Sequence, residues 1–167
     1  MRATAGMLGT ILLAIQLHYP LDHTSIFMTT ASELKGLTLL GNKAQPGRKL
    51  EAFPNHNPGR YYKVTLETSE FTCLCPATGQ PDFASIRVDY VPDKKVVESK
   101  SFKLYLWSYR EQGVFHEHLV NLILDDLTKA LNPHYIKVTG AFNIQGGIGI
   151  TVVAEHVKTV AAKKLVT

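Results

Sequence analysis

The sequence predicts an α+β fold built on an antiparallel sheet. Three observations carry that reading. Segments of alternating polarity and segments of helical periodicity follow in the order strand, strand, helix, helix, strand, strand. Val120, Ile123, Leu124, Leu127 and Leu131 fall on one face of a helix, with Asp125, Asp126 and Lys129 opposite. The last two strands meet at Gln145-Gly146-Gly147, a hairpin signal.

Taken in order, residues 1–27 stand apart. Met7 to Ile15 form an apolar run, too short for a membrane span of about 20 residues. Arg2 in front gives it the look of a secretory signal, but no clean small-x-small cleavage site follows. We read Met28 as the natural start, 1–27 as an upstream extension, and 28–167 as a single domain; a signal peptide or an anchoring helix is the competing reading.

Residues 41–60 are rich in Gly, Pro and Asn and read as loop. Residues 61–66 alternate, with Tyr62, Val64 and Leu66 on one face of a strand. The stretch from Cys73 to Phe83 holds two prolines and a glycine, the composition of an ordered, turn-rich loop. Ile86, Val88 and Tyr90 mark a second strand over 85–90. Phe102, Leu104 and Leu106 have strand spacing, but 98–110 lacks a β-branched run, and we read a helix there. The long amphipathic helix ends at Asn132-Pro133. Strands are expected over 135–142 and 148–153, then a basic, weakly helical tail over 155–167.

Composition excludes several classes. The chain has 167 residues, enough for one domain with a real core. Eighteen Lys and Arg against 14 Asp and Glu leave a net charge of +4, too little for a nucleic-acid coat but suited to an anionic small molecule. The two cysteines, Cys73 and Cys75, are one residue apart and poorly placed to staple a fold. They are buried thiols, metal ligands or reactive groups.

A nucleophilic cysteine acts as thiolate and needs an ordered site with an acid or base nearby. Pro76, Gly79 and Pro81 supply the order, and a turn over 78–80 can return Asp82 toward the Cys75 sulfur. On spacing alone Asp82 is equally a turn-stabilising carboxylate, and Cys75 equally a structural thiol. His116 and Glu117 precede the long helix, where Glu117 also suits the helix dipole. Lys100 and Lys103 share one face if their segment is helical; they grip phosphates or are simply solvated.

Together these pieces resemble the QueF family of NADPH-dependent 7-cyano-7-deazaguanine reductases, in its short single-module form. The residues carrying the resemblance are Glu70-Phe71-Thr72-Cys73-Leu74-Cys75-Pro76-Ala77-Thr78-Gly79-Gln80-Pro81-Asp82-Phe83, the run from Glu98 through Ser99-Lys100-Ser101-Phe102-Lys103 to Leu106, Phe115-His116-Glu117 with Asn121, and Gly146-Gly147-Ile148. Residues 37–42 also look like the family's opening. The likeness runs from about Met28 to Ile150 and leaves 1–27 outside.

The resemblance implies a tunnelling fold: an antiparallel sheet with two helices on one face, assembling into ring barrels, typically two stacked pentamers, with active sites between subunits. It implies a cytoplasmic enzyme of queuosine biosynthesis, a tRNA modification. The enzyme reduces a nitrile to a primary amine with two NADPH. It assigns Cys75 as the nucleophile that forms a covalent thioimide and Asp82 as the general acid. Val97, Glu98, Ser99, His116 and Glu117 become substrate-binding residues, and Lys100, Ser101 and Lys103 NADPH-binding residues. No metal and no direct nucleic-acid contact is implied. Cys73 stands where a small polar residue is common, and the tail after Ile150 diverges. No Gly-x-Gly-x-x-Gly follows a strand, so a Rossmann cofactor site is not expected.

Two other readings compete. Cys73, Cys75 and His116 make a conceivable three-ligand zinc site of a cyclohydrolase-like enzyme, although the one-residue gap between cysteines is awkward. A non-enzymatic binder of RNA or of a protein would use the positive charge, but aromatic residues do not interleave with basic ones as single-strand binders require.

Overall fold

The computed structural model describes residues 45–166. The readings made on 1–44, including the start at Met28 and the 37–42 segment, lie outside these residues. In chain order the elements are β1 (Ala52–Pro54), β2 (Val64–Leu74), β3 (Pro81–Val91), β4 (Lys95–Val97), α1 (Ser99–Trp107), α2 (His116–Leu131), β5 (Tyr135–Gln145), β6 (Ile148–Val157) and α3 (Val160–Lys163). β2, β3, β5 and β6 form an antiparallel sheet in that order, and β1 pairs with β4 in a separate two-stranded ribbon.

Strand alternation decides which face is buried. Ala84, Ile86, Val88 and Tyr90 of β3 lie opposite Phe142, Gly140, Val138 and Ile136 of β5. These eight positions make the centre of the buried face. α2 lays Leu119, Val120, Ile123, Leu124, Leu127 and Leu131 over β5 and β6, and α1 adds Phe102, Tyr105 and Leu106 to the same core. Each fully buried side chain of this size contributes roughly 2 kcal/mol. A single close approach fixes the spacing: a Cβ on Gly140 would sit 2.7 Å from Val120 Cγ2. The α+β class and the packing of both helices on one sheet face agree with the sequence reading.

The other face is polar. Arg87 joins Asp89 and Glu67 there, at 2.8 and 3.1 Å, and the Thr65 hydroxyl donates to Asp89. α2 stops where Asn132 turns left-handed (φ 46°), its N–H donating to the Thr128 carbonyl, with Pro133 next. Gly146 and Gly147 have φ of 57° and 81°, which makes the β5–β6 connection a type I′ turn.

Four expectations are corrected. β2 runs to Leu74, well past residue 66, because an irregularity between Thr68 and Phe71 shifts the alternation without ending the pairing. β3 starts at Pro81, so the turn-rich loop shrinks to 75–80; proline is tolerated as the first residue of a strand. The 41–60 loop contains β1, which pairs with β4. The tail is not helical from 155: Glu155–Val157 pair with Lys137–Tyr135, and only Val160–Lys163 is helix.

Candidate active site

The β2–β3 reversal builds the core of the site. The Cys75 N–H donates to the Gln80 carbonyl at 2.8 Å, and the Gly79 N–H to the Cys75 carbonyl at 2.9 Å. Gly79 takes a φ of 69°, which a side-chain-bearing residue would resist. The loop after α1 braces this turn from the side. Leu74 exchanges hydrogen bonds with Gln112 and Val114, and a Cβ on Gly113 would meet Pro76 Cα at 3.1 Å. α2 begins directly after this brace, so the brace delivers His116 to the same place.

The two cysteines have opposite characters. The Thr78 hydroxyl, the Thr78 N–H and the Ala77 N–H hydrogen-bond to the Cys75 sulfur. These donors hold the thiol below its ordinary value, against burial and the Asp82 charge. Cys73 is fully buried in the core. Burial first, then the charge of Asp82, pushes its thiol up to about 11. Cys75 is therefore the more readily ionised sulfur of the two.

Asp82 is 4% exposed and is gripped on both oxygens. His116 Nε2 lies 3.1 Å from Oδ2, and the Gln145 amide donates to Oδ1. The His116 ring stacks on Phe142 with centroids 3.8 Å apart. The structure thus brings Cys75, Asp82 and His116 together, and adds Thr78, Phe142 and Gln145. Of the added residues, Thr78 and Gln145 carried only turn signals in the sequence, and Phe142 only its place in a strand.

The second group of sequence-assigned residues forms its own cluster at the start of α1. Ser99 is the first residue of the helix and is exposed. Glu98 caps the helix: its two oxygens accept the N–H groups of Lys100 (2.8 Å) and Ser101 (2.6 Å), which also holds its carboxyl below the ordinary value. Ser101 is buried. Its hydroxyl accepts the Glu51 N–H at 3.0 Å and lies 2.8 Å from the Glu98 carbonyl, to which it donates. Val97 is 5% exposed, its side chain in the core and its N–H on the Tyr90 hydroxyl. Within the chain, Val97, Glu98 and Ser101 thus all help to build the frame at the start of α1. Lys100 and Lys103 are exposed and make no ion pair among the described residues. Lys103, Ser99, Trp107 and Arg110 line a groove of about 680 Å³ between α1 and β2. Glu117 is exposed in the first turn of α2, and the Asn121 amide donates to its carbonyl. No hydrogen bond or ion pair among the described residues joins the α1 cluster to Asp82.

The zinc alternative required Cys73, Cys75 and His116 to converge. Among the described residues no three His, Cys, Asp or Glu side chains are gathered as metal ligands, and His116 Nε2 is turned to Asp82. No helix among the described residues is long and apolar enough to cross a membrane.

Comparison with known proteins places these residues in context. Residues 81–161 match the model of the QueF-like protein family, a span that includes Asp82, His116 and Gln145 and begins just after the Cys75 turn. The chain is 58% identical over 130 residues to the NADPH-dependent 7-cyano-7-deazaguanine reductase of Syntrophus aciditrophicus (strain SB), covering 78% of this chain and 93% of that one. It is 59% identical over 114 residues to the enzyme of the same name from Alkalilimnicola ehrlichii, covering 68% and 88%. The crystal structure of the apo archaeosine synthase QueF-Like superposes with a TM-score of 0.54 at 33% identity, over 59% of this chain and 95% of that one.

Proposed function

The chain belongs to the QueF family of NADPH-dependent 7-cyano-7-deazaguanine reductases, and from that premise we propose that it reduces the nitrile of 7-cyano-7-deazaguanine to the primary amine. The observation that carries the proposal is the pairing of a thiolate-favouring Cys75 with a buried, doubly held Asp82 on the adjoining strand. A nitrile is a poor hydride acceptor, and addition of a thiol makes a better one.

The Cys75 sulfur adds to the nitrile carbon, forming a C–S bond as one C≡N π bond breaks. Asp82 gives its proton to the nitrogen, leaving a neutral thioimide and a carboxylate. NADPH, when bound, supplies hydride, and two equivalents with two protons complete the four-electron change from nitrile to amine. Between the two reductions the C–S bond breaks and Cys75 leaves as thiolate. His116, at hydrogen-bond distance from Asp82, is placed to return a proton to it.

Glu117 projects beside His116 and offers two acceptor oxygens to a guanine-like edge. Ser99 adds a hydroxyl from α1, aimed by the Glu98 cap and by Val97. Lys100 and Lys103 hold NADPH phosphates; both are exposed on α1, and Lys103 lines the groove that also carries Arg110, cations that suit a dianion. Ser101 joins them in the same turn of α1, where its hydroxyl also seats the helix.

The active unit is a ring-forming homo-oligomer, of the stacked-pentamer kind. Among the described residues β2 and β6 leave open sheet edges, and Phe115 and Ile148 stand 65% and 67% exposed near the site. Two free cysteines suit the reducing cytoplasm, where the product feeds queuosine formation in tRNA. Residues 1–27 remain, in this reading, an extension outside the reductase domain.

The test is NADPH absorbance with and without the nitrile, together with intact mass of the protein mixed with nitrile alone. Nitrile-dependent oxidation and a one-to-one adduct on Cys75 are expected. A Cys75→Ala variant that still reduces the nitrile would overturn the role of the thiol.

A further inference from the structure

The β5 ladder carries a feature that the reaction above does not explain. Phe142 pairs with Ile150, but Gln145 pairs with Ile148, so three steps on β5 match two on β6. One extra residue is inserted in β5. In unbroken alternation Ile136, Val138, Gly140 and Phe142 point into the core, and 144 would follow them. Instead Ile144 is 73% exposed, and the side chain at 145 has moved to the face that carries Asp82. A β-bulge re-aims side chains in this way. The type I′ turn at Gly146 and Gly147 then pins the register immediately beyond it.

We propose that the β5 bulge serves to aim Gln145 at Asp82, and that Gln145 is a positioning residue which holds the proton-donating carboxyl in line with its reaction partner. The inference rests on Asp82 being the acid. The amide donates to Oδ1 while His116 takes Oδ2, so the plane of the carboxyl is fixed from two elements far apart in sequence. An amide also suits both states of the acid. Its N–H meets the carboxylate, and after a flip its carbonyl accepts from the carboxylic acid. A lysine or arginine offers donors alone. Cys73 and Cys75 are the other titratable groups facing Asp82, and neither replaces this contact.

Gln145→Leu keeps the bulk and removes both hydrogen-bonding functions. It should lower kcat about tenfold or more, with KM for the nitrile within about twofold and an unchanged melting temperature. A crystal structure of the variant should show the Asp82 carboxyl rotated away from His116. Ile144→Ala, at a neighbouring exposed position of the hairpin that does not touch the carboxyl, is the control. Wild-type kcat in Gln145→Leu, an Asp82 that keeps its orientation, or an equal kcat loss in Ile144→Ala would each overturn the proposal. If the wild type itself fails to reduce the nitrile, the reductase reading falls, and the orientation of Asp82 still decides this one.

Discussion

Cys73 and Asp82 face each other across the β2–β3 ladder, two residues before Cys75 enters the turn. The carboxyl therefore sits beside one sulfur that burial, and then its own charge, pushes up, and close to another that the turn holds below its ordinary value. Alkylation should separate the two. Iodoacetamide should modify Cys75 in the native protein, with a pH midpoint below the ordinary thiol value of about 8.5. Cys73, raised to about 11 and fully buried, should react only after unfolding. Peptide masses from partly labelled protein give the answer; equal labelling of both sulfurs would sink this assignment.

Thr78 is the largest cause of the lowered Cys75 thiol. Hydrogen bonds to a thiolate favour the charged form, so their loss moves the thiol upward. Thr78→Val should shift the Cys75 alkylation profile to higher pH and slow labelling at neutral pH by roughly threefold to tenfold. Thr78→Ser should restore it, and an unshifted valine variant would place the effect in the backbone alone.

Glu98 is held as a cap, so a different cap should serve. Serine bonds the same N–H groups without a carboxylate. Glu98→Ser should keep KM for the nitrile near the wild-type value, whereas Glu98→Leu should lose helix order by circular dichroism and activity together. A large KM rise in the serine variant would mean that the carboxylate itself meets the ligand.

Gly140 sets the distance between α2 and the sheet. Gly140→Ala must push Val120 aside, an overpacking cost of about 1–3 kcal/mol. The melting temperature should fall by roughly 2–4 °C per kcal/mol. Coupling Gly140→Ala with Val120→Ala should recover most of the loss; no recovery would locate the strain elsewhere.

Acid stability should respond to Asp89. Burial alone would raise its carboxyl, but hydrogen bonds from Arg87 and Thr65 outweigh burial and hold it below the ordinary value. With the folded value depressed, the unfolded chain takes up its proton first as pH falls. Stability is thus complete above the usual carboxylate range near 4 and is lost as pH drops through it. Asp89→Asn should be less stable at neutral pH and should lose less on acidification. An equal fall of the urea midpoint from pH 7 to pH 3 in wild type and variant would contradict this.

Local chemistry was legible in the sequence wherever it was local in space. Cys75 and Asp82 are seven residues apart around a glycine turn, and the amphipathic helix announced itself by spacing. β2 and β5 were cut short because bulges, at Thr68/Phe71 and Phe142/Gln145, break the alternation that identifies a strand. β1 and β4 are three residues each, in a stretch whose composition says loop. The Glu98 cap was hidden because Ser, Thr, Asp and Asn are the usual capping residues. Gln145 was unreadable as part of the site, since its facing depends on a register that only the folded sheet defines.

The separation of the Asp82 partners along the chain has a consequence for how the site comes into being. The sulfur turn closes over a few residues, whereas Gln145 lies 63 positions from Asp82. Short loops close before long ones. In the proposed reaction, opening of the β5–β6 hairpin leaves the Cys75 turn closed and the acid unaligned, so turnover should be lost before the Cys75 turn is.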